Sequence, residues 1–111
     1  MSANDYQAKC REFAIYPNER AVEYLALGLA SEAGEVAGKI KKQIRDGRNW
    51  TGEQREDHRQ HILAEMGDVC FYLAELCSHY GVGFGEVMSG NIAKLESRRD
   101  RGVIGGSGDK R

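Results

Sequence analysis

Residues 25–44 read LALGLASEAGEVAGKIKKQI, and this stretch specifies a helical fold class. Its apolar side chains recur at steps of three, four and seven residues, which is the spacing of one α-helical face and not of a β-strand. Pro17 precedes the pattern and Gly47 follows it, and both residue types commonly mark helix boundaries. A long helix over about residues 19–45 is therefore predicted.

Three further helices are predicted around it. The first covers about residues 3–16 and starts with Ser2 and Asp5, which have the spacing of a capping box. The third ends near residue 80 and the fourth covers about residues 84–101, and a glycine follows each of them. The apolar residues expected to face the core are Ile62, Met66, Val69, Leu73, Leu76 and Tyr80 in the third helix and Phe84, Val87, Met88 and Leu95 in the fourth.

No run of alternating β-branched residues competes with these helices, so an all-α bundle of four to five helices is predicted. Residues 1–102 form the single predicted domain, and the Gly-rich segment of residues 103–111 is expected to be a flexible arm. A bundle of this length has one apolar stripe per helix and little core of its own. We therefore expect oligomerisation to complete it.

Composition and charge exclude several classes of protein. The 111 residues carry 16 Lys and Arg against 17 Asp and Glu, for a net charge of −1. This balance argues against a nucleic-acid-binding domain, which is usually strongly basic. No signal peptide or membrane-spanning stretch is recognisable, so a cytoplasmic protein without a membrane partner is expected. Cys70 and Cys77 are expected to be reduced and buried.

Two pairs of acidic residues stand at matching positions on the two long helices. Glu32 and Glu35 lie three residues apart in one helix, and Glu65 and Asp68 lie three residues apart in the other. Each pair lies at the same angular offset, on the same side of its helix's apolar stripe. Antiparallel packing brings residues with equal offsets to the same side of the interface. Glu35 is then expected to face Glu65, and Glu32 is expected to face Asp68.

Four carboxylates in one place repel one another unless a cation lies among them. Oxygen ligands without His or Cys favour Mg²⁺, with Mn²⁺ as a substitute. A di-iron site is disfavoured because such sites carry a Glu-x-x-His motif. The alternative is a solvated acidic face with pairs such as Glu35–Lys39. Glycines inside both helices suggest close backbone approach, and they are Gly28, Gly34, Gly38 and Gly67.

A polar set on the fourth helix is the second candidate site. Asn91 lies within the apolar arc and is expected to be a buried amide, with Lys94 and Arg98 flanking it. This combination suits a phosphate or a nucleobase edge. The alternative is a packing amide beside two cations whose stems cover apolar surface. Tyr6 and Gln7 in the first helix are either core residues or a base-stacking platform.

Three stretches of the chain resemble one known family. LGLASEAGEV at residues 27–36, EMGDVCFYLA at residues 65–74 and NIAKL at residues 91–95 closely resemble the MazG-like members of the all-α NTP pyrophosphatase superfamily. The likeness extends over nearly the whole chain. It implies a helical bundle that forms a homodimer or a dimer of dimers. It also implies Mg²⁺-dependent hydrolysis of nucleoside triphosphates to monophosphates and pyrophosphate.

The resemblance also implies roles for individual residues. The family's metal-ligating carboxylates match Glu32, Glu35, Glu65 and Asp68, and its phosphate contacts match Asn91 and Lys94. The expected function is a nucleotide pyrophosphohydrolase that cleans or controls the nucleotide pool. Glu35 is expected to position or deprotonate the attacking water, and the further candidate substrate contacts are Arg98, Tyr6 and Gln7. The alternatives are a non-catalytic helical module that senses nucleotides or binds a protein, and the same chemistry on another polyphosphorylated metabolite.

Overall fold

The computed structural model describes residues 1–111 and contains helices without strands. The four α-helices are α1 (Ala3–Cys10), α2 (Ala21–Asp46), α3 (Gly52–His79) and α4 (Phe84–Asp100). Short 3₁₀ turns lie at Arg11–Phe13, Asn18–Arg20 and Gly47–Asn49. The predicted all-α class is confirmed. No helix combines the length and the apolar character needed to cross a membrane.

Local capping signals place most helix ends where the sequence predicts them. Ser2 and Asp5 form the predicted capping box at the start of α1. A second capping box, which the sequence analysis missed, is formed by Thr51 and Gln54 at the start of α3. Gly81 after α3 has a φ of +70°, a conformation that glycine adopts without the penalty of a Cβ.

The first helix is shorter than predicted. It ends at Cys10, continues as a 3₁₀ turn and reaches extended backbone at Ala14. Tyr16 precedes Pro17, and a residue before proline is driven away from helical backbone angles. The early end lets the chain turn so that Arg11 and Tyr16 both reach Glu75 on α3.

An antiparallel pair formed by α2 and α3 is the centre of the fold. Gly28 lies directly against Tyr72, and a Cβ at Gly28 would overlap the tyrosine ring. Farther along the pair, Lys39 of α2 contacts Glu65 of α3. The predicted close approach is therefore confirmed at Gly28, whereas the other three glycines of that prediction, Gly34, Gly38 and Gly67, have open space at the Cβ position.

The core of this chain is small. Its buried apolar residues are Cys10, Ala21, Leu25, Ala74 and Cys77. All three cysteines are free thiols, and Cys77 is buried as predicted. The prediction of burial for Cys70 is wrong, because Cys70 lines two open apolar depressions, one between α1, α3 and α4 and one between α2 and α3.

The apolar faces predicted to form the core of a closed bundle remain largely uncovered. Met66 of α3 is 49% exposed and Tyr80, directly after α3, is 71% exposed. Val87 and Met88 of α4 are 47% and 50% exposed. The first two residues of α4, Phe84 and Gly85, are joined to α1 by hydrogen bonds, and no later residue of α4 is. The fourth helix therefore stands away from the α2–α3 pair instead of closing a four-helix bundle.

Residues 103–111 are folded onto α4 and are not the free arm that their glycine content predicts. Asp109 accepts hydrogen bonds from Lys94 and Arg98. The Arg111 guanidinium donates to backbone carbonyls within the segment, including that of Gly108 at 2.6 Å. The glycines in this segment permit tight turns, and the bonds from Lys94 and Arg98 to Asp109 hold the segment against α4.

Candidate functional site

Three carboxylates from α2 and α3 converge on one side of the helix pair. Glu32 comes from α2, and Glu65 and Asp68 come from successive turns of α3. Each offers an oxygen that lies within 4.8 Å of the oxygens from the other two. Glu32 and Glu65 are half-buried and Asp68 is exposed. The antiparallel pairing of α2 and α3 therefore brings together acids that lie more than thirty positions apart in the sequence.

The charges of this cluster oppose one another. Burial raises the pKa of Glu32, and a hydrogen bond to Glu65 and repulsion from Asp68, Glu65 and Glu35 raise it further. A carboxyl group with a raised pKa stabilises the fold when it is protonated, and that contribution is lost as the pH rises through its pKa. The cluster is therefore electrostatically unfavourable near neutral pH, and a bound divalent cation would relieve the repulsion.

Lys39 is the one cation in contact with the cluster, with its Nζ 3.6 Å from Glu65 Oε1. This ion pair replaces the Glu35–Lys39 pair that the sequence offered as an alternative, and no Glu35–Lys39 bridge forms. Glu35 is exposed and does not belong to the group of converging oxygens. The structure thus gathers three of the four predicted carboxylates and leaves Glu35 one helical turn away.

The cations predicted to contact phosphate lie on the outlying part of α4. Lys94 Nζ is 2.7 Å from Asp109 Oδ1, and Arg98 Nη2 is 3.0 Å from the same oxygen. The expectation of a buried amide at Asn91 is wrong, since Asn91 is exposed. The reason is that α4 diverges, so that its apolar arc is not covered by the other helices of this chain.

The two candidate residues of α1 have different surroundings. Both N–H groups of the Gln7 amide are used, one on Ser78 Oγ at 3.1 Å and one on the Val82 carbonyl at 2.9 Å. Its Oε1 accepts the Phe84 N–H at 2.7 Å. Gln7 therefore ties α1 to the turn between α3 and α4, and its role as a substrate contact stays a prediction.

Tyr6 borders a cavity close to the carboxylate cluster. Its hydroxyl donates to the carbonyl of Gly67, the residue before Asp68, at 3.4 Å. Burial, with Cys10 and Asp68 adding to it, raises the pKa of Tyr6 to about 12, so the phenol is neutral at neutral pH. The cavity has a volume of about 370 Å³ and is lined mainly by apolar side chains, including Phe84 and Met88.

A buried ionic network on α3 escaped the sequence analysis. Glu75 is fully buried, and its Oε1 accepts hydrogen bonds from Arg11 Nη1 at 2.9 Å and from the Tyr16 hydroxyl at 2.5 Å. His79 Nε2 lies 3.0 Å from the same hydroxyl. The one available signal was an acidic residue in the middle of the apolar run YLAEL, since buried charges are rare unless they are paired.

Comparison with known proteins gives a consistent result. The model of the MazG nucleotide pyrophosphohydrolase domain matches residues 20–103, which include every carboxylate of the cluster and the polar set on α4. The chain is 40% identical to the Gene 37 protein of Mycobacterium phage L5, over the full length of both chains. It is 35% identical to the uncharacterized protein YvdC of Bacillus subtilis (strain 168), over 63% of this chain and 68% of that protein. No solved structure gives a significant match. On the extent of the domain match, this chain belongs to the MazG nucleotide pyrophosphohydrolase family.

Proposed function

We propose that the protein is a Mg²⁺-dependent pyrophosphohydrolase that cleaves nucleoside or deoxynucleoside triphosphates to monophosphates and pyrophosphate. The observation that carries the proposal is the convergence of Glu32, Glu65 and Asp68 within a matched MazG domain. Hard oxygen donors without nitrogen or sulfur suit Mg²⁺, with Mn²⁺ as a substitute. Such an activity would serve control or cleaning of the nucleotide pool.

The carboxylates have distinct tasks in this proposal. Glu32, Glu65 and Asp68 hold the divalent cation, and the exposed Glu35 joins them as a ligand or accepts the proton of the attacking water. When bound, the cation neutralises phosphate charge and lowers the pKa of water. Attack of the water oxygen on the α-phosphorus breaks the bond to the bridging oxygen, and pyrophosphate leaves with that oxygen.

Residues outside the cluster complete the substrate site. Lys94 and Asn91 contact the phosphates, and Arg98 assists them through charge-assisted hydrogen bonds. Tyr6 contributes to the wall of the apolar cavity beside Gly67, where the neutral sugar or base of a nucleotide fits better than its phosphates.

The purified full chain is expected to release pyrophosphate from at least one common ribonucleoside or deoxyribonucleoside triphosphate, in a panel that also contains other polyphosphorylated metabolites. Release should require Mg²⁺ or Mn²⁺ and should stop when EDTA is added, because the carboxylates cannot neutralise phosphate charge themselves. The measurement is pyrophosphate release with nucleotide monophosphate quantified alongside.

Two results of this assay would contradict the proposal in different ways. Hydrolysis of another polyphosphorylated metabolite, with all the nucleotides intact, would keep the chemistry and replace the substrate. No metal-dependent hydrolysis of any compound would favour a non-catalytic module that senses nucleotides or binds a protein.

Oligomerisation belongs to the same proposal. The isolated chain exposes 7,939 Å², whereas a folded monomer of this mass exposes about 6,100 Å². Its radius of gyration is 17.3 Å, compared with about 13 Å for a compact chain of this length. The excess surface is larger than the roughly 800 Å² that each partner buries in a standard interface. We therefore propose a homodimer or a dimer of dimers built on the uncovered apolar faces.

Leu73→Lys is expected to shift the assembly toward monomers. Leu73 lies on the uncovered face of α3 and is 36% exposed, so a lysine there would place a charge in the interface. Ile15→Lys is the matched control because Ile15 is 93% exposed and lies outside the helices that carry this face. Sedimentation at several concentrations measures the effect. A wild-type chain that is monomeric and fully active would contradict the proposal.

A further inference from the structure

Residues 103–111 form a closed loop that is organised around one side chain. The Arg111 guanidinium donates hydrogen bonds to the carbonyls of Val103, Ile104 and Gly105 at 3.0–3.1 Å. Its fourth acceptor is the carbonyl of Gly108, whose φ of +87° strongly favours glycine. We refer to residues 103–111 as the C-terminal loop.

This loop places one carboxylate on the two cations of α4. Asp109 Oδ1 is 2.7 Å from Lys94 Nζ and 3.0 Å from Arg98 Nη2, and the Asp109 carbonyl accepts a second bond from Arg98 Nη2 at 2.6 Å. Lys94 and Arg98 are four residues apart and therefore share one face of the helix. A single oxygen thus bridges the cationic pair, as an oxygen of a phosphate group would do.

Arg98 itself carries a second sign of an anion site. It is the one buried residue of α4, with 7% of its surface exposed, and its Nε is buried without a hydrogen-bond partner. Its hydrogen-bond partner is Asp109, so the C-terminal loop accounts for its polar contacts. A guanidinium can donate through Nε and Nη together to two oxygens, but the Nε–H of Arg98 has no acceptor. A phosphate group offers three oxygens, more than the bridging carboxylate supplies.

We propose that Asp109 is an intramolecular substitute for a phosphate group, and that a polyphosphate displaces the C-terminal loop when it binds Lys94 and Arg98. This inference rests on the proposed function, because it takes Lys94 and Arg98 as the phosphate site. It adds that Asp109 competes with phosphate for these two cations. Binding of the substrate's phosphates, or of the pyrophosphate product, then requires the loop to open, and the loop closes over the cations again when the anion leaves.

The balance of interactions favours such an exchange. The Asp109 side chain is 75% exposed and that of Lys94 is 41% exposed, so water screens this ion pair. The buried Arg98 guanidinium can pair with an oxygen of the incoming phosphate in place of Asp109. A polyphosphate carries several negative charges and more acceptor oxygens, so it competes well for the same two cations. The Asp109 carboxylate and a phosphate cannot share Lys94 at close range without repulsion, so one has to leave.

The test uses inorganic pyrophosphate and the full chain in metal-free buffer, so that binding is measured without hydrolysis. Asp109→Asn is expected to bind pyrophosphate about five- to tenfold more tightly than wild type in calorimetry, because the competing charge is gone. Asp109→Glu keeps the charge and should stay near wild type. Asp100→Asn is the matched control, since Asp100 pairs with Arg99 on the same helix. Lys94→Met should lose most of the binding.

Hydrogen exchange supplies the second measurement. The amides of Val103 and Arg111 donate to the carbonyls of Arg98 and Gly108, and both are expected to lose protection when wild-type protein is saturated with pyrophosphate. Unchanged or weaker binding by Asp109→Asn, or a loop that stays protected, would overturn the proposal. Loop displacement without any nucleotide hydrolysis would refute the proposed function and leave this inference standing. Nucleotide hydrolysis by the wild type, together with unaltered pyrophosphate binding by Asp109→Asn, would support the proposed function and refute this inference.

Discussion

Glu32→Gln is expected to lower kcat/KM for metal-dependent hydrolysis by about a hundredfold or more. Glu32 is the one carboxylate that α2 contributes to the converging group, whereas α3 contributes both Glu65 and Asp68. Glutamine keeps the size of the side chain and one oxygen acceptor but removes the negative charge. The loss therefore falls on metal binding and on phosphate neutralisation instead of on packing.

Stability measured without metal separates this effect from misfolding. The pKa of Glu32 is raised by burial and by its neighbours, so its ionised form opposes folding at neutral pH. Glu32→Gln should consequently match or exceed the wild-type Tm in EDTA, while the increase in Tm that Mg²⁺ produces in wild type should be lost. For the same reason, the advantage of the variant in EDTA should shrink as the pH falls toward the ordinary pKa of a glutamate.

Glu23→Gln is the matched control, because it makes the same chemical change on the same helix. Glu23 contacts Arg20 on the exposed surface and does not belong to the carboxylate group. Its activity and its Mg²⁺-dependent Tm shift should equal those of wild type. Full activity in Glu32→Gln would show that the converging carboxylates are not the metal site.

Arg11→Met is expected to lower the free energy of unfolding by about 2 kcal/mol, less than for a fully buried pair because Arg11 is itself 46% exposed. Glu75 is fully buried, and its Oε2 has no hydrogen-bond partner. Arg11 supplies the cation that compensates this carboxylate, and the remaining direct donor is the Tyr16 hydroxyl. Removing Arg11 leaves the buried Glu75 charge uncompensated, which costs more than losing an ion pair that is exposed at both ends.

The measurement is thermal or urea unfolding at fixed protein concentration, since assembly makes Tm dependent on concentration. The Tm should fall by on the order of 10 °C. Arg20→Met is the control, because the Arg20–Glu23 pair is exposed at both ends and should contribute about 0–1 kcal/mol.

A double variant tests the cause of the loss. Arg11→Met combined with Glu75→Met removes both charges and should recover much of the stability lost in the single variant, as apolar replacements of buried ion pairs often do. A double variant no more stable than Arg11→Met would show that the contribution comes from packing and not from charge.

The carboxylate cluster shows how far sequence spacing reaches. The antiparallel pairing of α2 and α3 and the meeting of Glu32 with Asp68 followed from rotational position and a short connection. The expected partner of Glu35 did not follow, because Lys39, one turn farther along α2, contacts Glu65 instead. Helical spacing gives the position of a residue along the helix axis to within about one turn, whereas side-chain pairing depends on differences of a few ångströms.

At the second candidate site, the sequence identified the cations but not their partner. Lys94 and Arg98 were identified correctly as neighbouring cations, but their partner Asp109 came from a segment expected to be free. The Arg111 contacts that hold this segment are made to backbone carbonyls. Backbone acceptors are identical at every residue, so no side-chain pattern could have revealed them.

The helical class, most of the helix ends and the acid pairs were readable from the sequence, because caps and helical faces depend on residues within a turn or two of one another. The burial of Glu75, the divergence of α4 and the exposure of Asn91 were not. These features depend on which elements meet in space, and that is set by the balance of many contacts between residues far apart in the chain. Periodicity indicates that a helix face is apolar, but it does not say whether this chain or a second copy covers it.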